Sequence, residues 1–182
     1  SRREYVIIRR AFLEEVSICA QLDASVETDH VWQMEERSLG SELQIVFRHG
    51  RLPRPMRVLY PRDLSHLAQD WERDECFLVA AEGAEITGFI DVRVQPWDKV
   101  AWVHHLVVGR RFRRRGIASR LVQTAAEWGR RQGLRQLMIE SSTKNYPGLC
   151  LCQHLGCVFC GFNDQAYSTQ DIAVFFAYPL GS

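Results

Sequence analysis

The sequence predicts an α/β layered domain built on a mixed sheet, and three observations carry that expectation. A short β-branched run, Trp102 to Val108, passes through an arginine-rich loop into a segment with helical periodicity. Further strand-like runs lie before and after that helix. Most other connections are short enough for hairpins, so antiparallel pairs should join whatever parallel pairing the helix brings about.

Tyr5 to Arg10 alternates around Val6 and Ile8, the period-two pattern of a half-buried strand. Phe12, Val16, Cys19 and Ala20 then share a helical face that ends near Asp23. Val31 to Tyr60 reads as an irregular β region. In it Val31, Gln33 and Glu35 alternate with Trp32, Met34 and Glu36, Glu42 to Arg48 forms another strand, and Pro53 and Pro55 break the pattern. Asp63 is placed to cap a helix whose inward face is Leu64, Leu67, Ala68 and Trp71. Cys76 to Ala81 and Glu85 to Val94 form a hairpin around Gly83, followed by a turn at Pro96 and Trp97. After the Trp102 to Val108 strand, Ile117, Leu121, Ala125 and Trp128 recur at helical spacing, and Gly133 stands where a C-terminal cap belongs. Leu134 to Glu140 is a strand and Pro147 to Leu155 a short helix after the loop Ser141 to Asn145. Val158 to Phe162 and Ile172 to Tyr178 complete the sheet.

With 46% hydrophobic and 25% charged residues, 182 residues are expected to form a single globular domain, 1–182. A formal charge of +1 argues against a nucleic-acid partner, which normally requires a large positive excess. No apolar run is long enough to span a bilayer, and an alternating strand pattern follows Ser1-Arg2-Arg3-Glu4 where a leader would need an apolar core. No membrane association and a cytoplasmic address are therefore expected. Most of the six cysteines are expected to be thiols, with Cys19 and Cys76 in the core.

The chemistry concentrates in Val103 to Ser119. A strand-to-helix junction leaves the first helical NH groups without partners and aims the positive end of the helix dipole at the loop, so an anion is its natural occupant. Arg113, Arg114 and Arg115 add charge there, while Gly116 and Ala118 add no bulk. The inferred ligand carries phosphate.

Arg113-Arg114-Arg115-Gly116-Ile117-Ala118 resembles the Gln/Arg-x-x-Gly-x-Gly/Ala signature with which the GNAT superfamily of acetyl-CoA-dependent N-acetyltransferases binds the coenzyme A pyrophosphate. The context agrees: Leu106-Val107-Val108 upstream, Gly133-Leu134 downstream, then Glu140 and the Asn145 to Gly156 segment. Within the superfamily the ending, Gly161-Phe162 followed by Asp171 to Phe176, is similar to that of streptothricin acetyltransferases. The resemblance implies a GNAT-like, largely antiparallel central sheet flanked by helices on both faces, with the cofactor-binding core at about 77–162. It also implies transfer of an acetyl group from acetyl-CoA to a primary amine by direct attack in a ternary complex.

On that resemblance the backbone of Leu106, Val107 and Val108 would pair with the pantetheine arm and polarise the thioester. Arg113, Arg114, Arg115, Gly116, Ile117, Ala118 and Ser119 would surround the pyrophosphate, and Asn145 would contact the pantetheine. His104 and His105 occupy strand positions where relatives often carry acids, and an imidazole can take a proton near neutrality. Alternation would send the two rings to opposite faces, with His104 on that of Leu106 and Val108 the favoured base. Registered on the family pattern, Leu151-Cys152 replace the usual Phe-Tyr, so the acid for the leaving thiolate is left between Cys152, Tyr146 and solvent. Cys150, Cys152, Cys157, Cys160 and His154 lack paired knuckle spacing, and no metal is expected.

Asp23, Glu27, Asp29, Glu35 and Glu36, interleaved with Trp32 and Met34, are the candidate pocket for a small cationic amine. A protein or peptide N-acetyltransferase and a non-catalytic acyl-CoA sensor remain as alternatives. The chain is expected to be a monomer or homodimer.

Overall fold

The computed structural model describes residues 5–181. In chain order the elements are β1 (Val6–Arg10), α1 (Val16–Gln21), β2 (Val26–Leu39), β3 (Glu42–Val58), α2 (Leu67–Glu72), β4 (Cys76–Glu82), β5 (Glu85–Gln95), β6 (Val100–Val108), α3 (Ile117–Arg131), β7 (Gln136–Ser142), α4 (Tyr146–His154), β8 (Val158–Asn163) and β9 (Ala173–Pro179). Seven strands form one sheet in the order β1-β4-β5-β6-β7-β9-β8, and β2 and β3 make a separate two-stranded arm. Among the described residues only β6 and β7 are parallel, because α3 carries the chain back across the sheet between them; every other neighbouring pair in the sheet is antiparallel. The mixed, largely antiparallel sheet with helices on both faces is the architecture the sequence led us to expect.

The two faces bury separate cores. On one, Ile117, Leu121, Val122, Ala125 and Ala126 of α3, joined by Leu149 of α4, pack over Ile90, Val103 and Leu137. On the other, Val16 and Cys19 of α1 and Leu67 of α2 pack over Phe77, Val79 and Phe89. The α3 stripe recurs at the helical period, so one face of that helix is apolar and the other carries its arginines. Gly133, at φ +73°, ends it in the left-handed conformation that the sequence position called for.

Three local readings are corrected. Val26 to Val58 is not an irregular region but one long hairpin turning at Gly40. Pro53 and Pro55 are tolerated because pairing jumps from Thr28↔Met56 to His30↔Arg51, so both prolines sit in a bulge with no ladder partner to deprive. In α2 the inward residue is Asp70, 5% exposed, rather than Ala68, which faces solvent. Asp63 holds the Ser65 NH (3.0 Å) in a turn ahead of α2 and does not cap it.

The arm is fastened to the sheet beside the start of α4. Trp32 donates its NH to the Thr143 carbonyl (2.9 Å), and Trp32 and Phe47 pack edge-on against Phe176 and Phe162. His30 and His49 stack on Tyr146 at the start of α4, each with ring centroids 5.0 Å from the tyrosine.

Candidate active site

Two parallel strands that separate make the site. β6 and β7 pair only from Val100↔Gln136 to Val103↔Ile139. Beyond that last rung, His104 to Val108 and Glu140 to Ser142 diverge, which opens a wedge with an unpaired backbone edge on each side. An extended ligand with amide groups can complete those edges as an extra strand would.

At the far end of β6 the chain enters the arginine loop. Arg114 (φ +63°) and Gly116 (φ +75°) are both left-handed, a geometry that turns successive NH groups inward on a concavity. Among the described residues, none accepts a hydrogen bond from the NH groups of Arg113 to Ser119. Those donors and the start of the fifteen-residue α3 form a ready anion cradle. A Cβ on Gly116 would meet nothing within 4 Å, so its φ, not crowding, is what calls for glycine.

The arginines divide their work. Arg113 donates to the carbonyls of Val108 (3.0 Å), Ser25 (2.5 Å) and Asp23 (3.0 Å), tying the Asp23–Ser25 turn to the end of β6. Its side chain is thereby spent on the fold, leaving its NH for a ligand. Arg115 pairs with Glu82 (2.9 Å). Arg114 has no side-chain partner among the described residues and remains free to meet a phosphate. Replacing Arg114 by Ala should raise the apparent Kd for a coenzyme A thioester about tenfold, the scale of one charge-assisted hydrogen bond, as read by calorimetry. An unchanged affinity would remove it from the cradle.

At the closed end of the wedge the two histidines are not arranged as alternation predicts. Asp91↔His105 is followed by Val92↔Val103, so His104 is an extra residue, a β-bulge. The bulge turns both rings to one side, with centroids 4.3 Å apart, on the face opposite the Leu106 and Val108 side chains. His105 is 2% exposed, shares a hydrogen bond between Nδ1 and the Tyr60 hydroxyl (2.7 Å), and is pushed down to about 3 by burial and by His104. It stays neutral and packs. His104 remains partly open, and burial, then Arg93, holds its pKa below the usual histidine range.

Behind them lies a buried carboxyl pair. Asp70 bonds the Arg93 guanidinium and sits 3.9 Å from His104 Nε2. Asp91, 1% exposed, lies beside Asp70 and retains its proton up to about 8, through burial and then that neighbour. Asp70, Asp91, His104 and His105 each offer one donor atom within 4.8 Å of the others, and nitrogen and oxygen donors suit a divalent cation. The Arg93 guanidinium beside Asp70 opposes a cation there, and Asp91, raised by burial and by Asp70, carries no charge to offer one near neutrality.

On the β7 side, Glu140 is gripped by Arg62 (Nε to Oε2, 2.9 Å) and by the Tyr167 hydroxyl (3.1 Å). Between Glu140 and His104 a pocket of about 310 Å³ opens, walled by Arg62, Arg73, Arg93 and Trp102. The acidic residues expected to line an acceptor pocket are elsewhere: Glu27 pairs with Arg110, Glu35 with Arg37 and Arg48, and Asp29 faces Arg51, while none lines this pocket.

Asn145 caps α4 by accepting from the Gly148 NH (3.1 Å), which leaves its amide NH₂ as donor. Cys152, 1% exposed, lies in the core beside Leu149, and its hydrogen bond to Cys157, then burial, raises its thiol far above the ordinary range. A weakened thiol is a poor proton donor. Tyr146 is half-buried and hydrogen-bonded to Cys150, which raises it as well.

Sequence reasoning missed Tyr60, Arg62, Asp70, Asp91, Arg93 and Tyr167. Two left a signal: Asp91 interrupts the apolar run Phe89 to Val92, and Asp70 stands three residues after Leu67 on the apolar stripe of α2. The others depend on contacts 23 to 78 residues apart and left none.

A splayed parallel strand pair, with an anion cradle beyond one strand and a pocket at its closed end, suits a coenzyme A-type acyltransferase. The model of the family described as Acetyltransferase (GNAT) family matches residues 45–156, and the chain belongs to that family. It is 24% identical over 151 residues to a streptothricin acetyltransferase of Streptomyces lavendulae, covering 80% of this chain and 78% of that protein. The fold superposes on nourseothricin acetyltransferase with a TM-score of 0.82 at 20% identity, over 97% of this chain and 99% of that one. A Bacillus anthracis protein, solved in complex with acetyl coenzyme A, matches with a TM-score of 0.73 at 17% identity over 98% and 99% of the two chains. The expected likeness to streptothricin acetyltransferases is thereby met, and the protein is an acyltransferase.

Proposed function

We propose that this enzyme transfers an acetyl group from acetyl-CoA to the primary amine of a small molecule, by direct attack within a ternary complex. The observation that carries the proposal is the wedge between β6 and β7, open to the NH cradle at one end and to the His104–Glu140 pocket at the other. The pyrophosphate would lie on the NH groups of Arg113 to Ser119, the pantetheine along the free edge of Leu106 to Val108, and the thioester at the wedge. Backbone NH groups of that edge would stabilise the oxyanion.

The amine nitrogen then forms a bond to the acetyl carbon while the carbon–sulfur bond breaks and its electron pair leaves on sulfur. The nitrogen sheds a proton to His104, directly or through water, and the thiolate takes one from Tyr146 or solvent. His104 suits the role because it is the one of the two histidines that reaches the pocket. No step uses a metal.

A pocket of about 310 Å³ lies near the lower end for ligand sites, which favours a small acceptor over a peptide. A reducing cytoplasmic setting fits a chain whose six cysteines are all free thiols. Stabilisation by acetyl-CoA but not by simple polyphosphate, together with thiol release across a panel of amines, tests the reading. Stabilisation without thiol release for any amine would leave a sensor in place of an enzyme.

A further inference from the structure

The pocket at the closed end of the wedge carries the wrong charge for a polycationic acceptor. Its wall presents three guanidinium groups, Arg62, Arg73 and Arg93, against one carboxylate, Glu140. Arg62 and Glu140 satisfy each other. Arg93 spends one hydrogen bond on Asp70 and its side chain is 34% exposed, while its Nε is buried without a partner. Arg73 is exposed and meets no carboxylate among the described residues. Glu75 accepts from the Val94 NH (2.9 Å) and does not line the wall. A guanidinium has five donors in a planar fork, so unspent capacity of this kind matches a carboxylate or a phosphate.

We infer that the acceptor is an acidic amine, its amino group directed to His104 and Glu140 and its anionic group held by Arg73 and Arg93. The inference rests on the acetyl-transfer reading for the role of the amine. It runs against the acidic, cation-binding pocket that the sequence suggested.

The same charge assists the chemistry. Cations around an ammonium favour its neutral form, which is the nucleophile. A base as weak as a partly buried histidine is then sufficient. An acceptor bearing a second ammonium would meet Arg73 and Arg93 instead of a partner, and desolvating that repulsion discriminates against it.

The experiment uses matched acceptors that differ in the acidic group: L-amino acids with their α-amides, and phosphoethanolamine with ethanolamine. Thiol release is measured with saturating acetyl-CoA on the wild-type protein and on Arg73→Ala and Arg73→Lys. The acidic member of at least one pair is expected to have a kcat/KM at least tenfold higher. Arg73→Ala should remove that preference through KM, Arg73→Lys should restore part of it, and the KM for acetyl-CoA should not move. Equal turnover within every pair, or preference for the cationic member, overturns the inference and leaves acetyl transfer intact. Where no amine releases thiol, calorimetry of the acetyl-CoA-saturated protein decides: Arg73-dependent binding of an acidic amine sustains the anion subsite while acetyl transfer fails. No such binding overturns the subsite.

Discussion

His104→Gln is expected to lower kcat by about 10²-fold or more, the ordinary contribution of a positioned base, while the protein still binds acetyl-CoA with unchanged affinity. Glutamine preserves the volume and one hydrogen-bonding end of the side chain but cannot take the proton. The pH profile is the sharper readout. His104 is held below the usual histidine range by burial and by Arg93, so in the wild-type enzyme the acid limb it imposes on kcat lies below about 6.5. In the variant that limb disappears, and only the ionisation of the amine itself shapes the curve. His105→Gln should behave differently, because His105 is 2% exposed, lies against the Tyr60 hydroxyl and already stays neutral. Its loss should lower thermal stability and leave the shape of the profile alone. An unchanged turnover and profile for His104→Gln would falsify its assignment as base.

Why the two histidines differ could not be read from the sequence. Alternation is a sound rule for an unbroken ladder, and it places adjacent residues on opposite faces. The bulge at His104 is set by β5, whose Val92 and Asp91 pair with Val103 and His105 and skip the residue between. Nothing in the hexapeptide around His104 announces a register slip that its neighbour dictates. The strand-to-helix junction at Val108 to Ile117 was legible for the opposite reason. A strand end, a glycine and the start of a helix lie within fifteen residues of one another, and the anion cradle follows from local backbone geometry alone. Likewise α3 and the β4–β5 hairpin were legible because periodicity and turn residues are local. The pocket proposed for the acceptor is assembled from the segments on either side of α2, from β5, β6 and β7, and is backed by Tyr167 on the loop before β9, so its charge emerges only once those pieces meet.

The arm shows the same limit from another side. Its strands were visible, yet its length was hidden by Pro53 and Pro55, which in most strands would end the pairing. Here the bulge opposite Asp29 absorbs them, so the ladder resumes at His30↔Arg51 and runs to the turn at Gly40. That continuity carries His49 onto α4, Phe47 onto β8, and Trp32 onto β9 and the loop before α4.

The buried pair behind the site should make stability fall between pH 6.5 and 8, and the direction follows from proton counts. Asp91 keeps its proton in the folded state up to about 8, whereas an unfolded aspartate releases it near 3.9, so between those values folding takes up a proton and stability drops as pH rises. His105 acts oppositely: folded it is neutral down to about 3, unfolded it is protonated below about 6.5, so from 3 to 6.5 stability rises with pH. The two slopes cancel from about 4 to 6.5, and only the aspartate slope, at most about 1.4 kcal/mol per pH unit, persists above that. Asp91→Asn keeps a donor for Asp70 and has no proton to lose, so denaturant titrations should show its stability level from 6.5 to 8, where the wild-type protein loses about 1.5 kcal/mol. Arg93→Leu tests the other side of the pair. It strips the counter-ion from Asp70, whose side chain is 3% exposed, and should cost about 3 kcal/mol, near the lower end for a broken buried pair because Arg93 is itself partly solvated. Wild-type stability that is flat or rising from 6.5 to 8 would show that Asp91 ionises at an ordinary pH, and the proton assigned to the pair would have to be withdrawn.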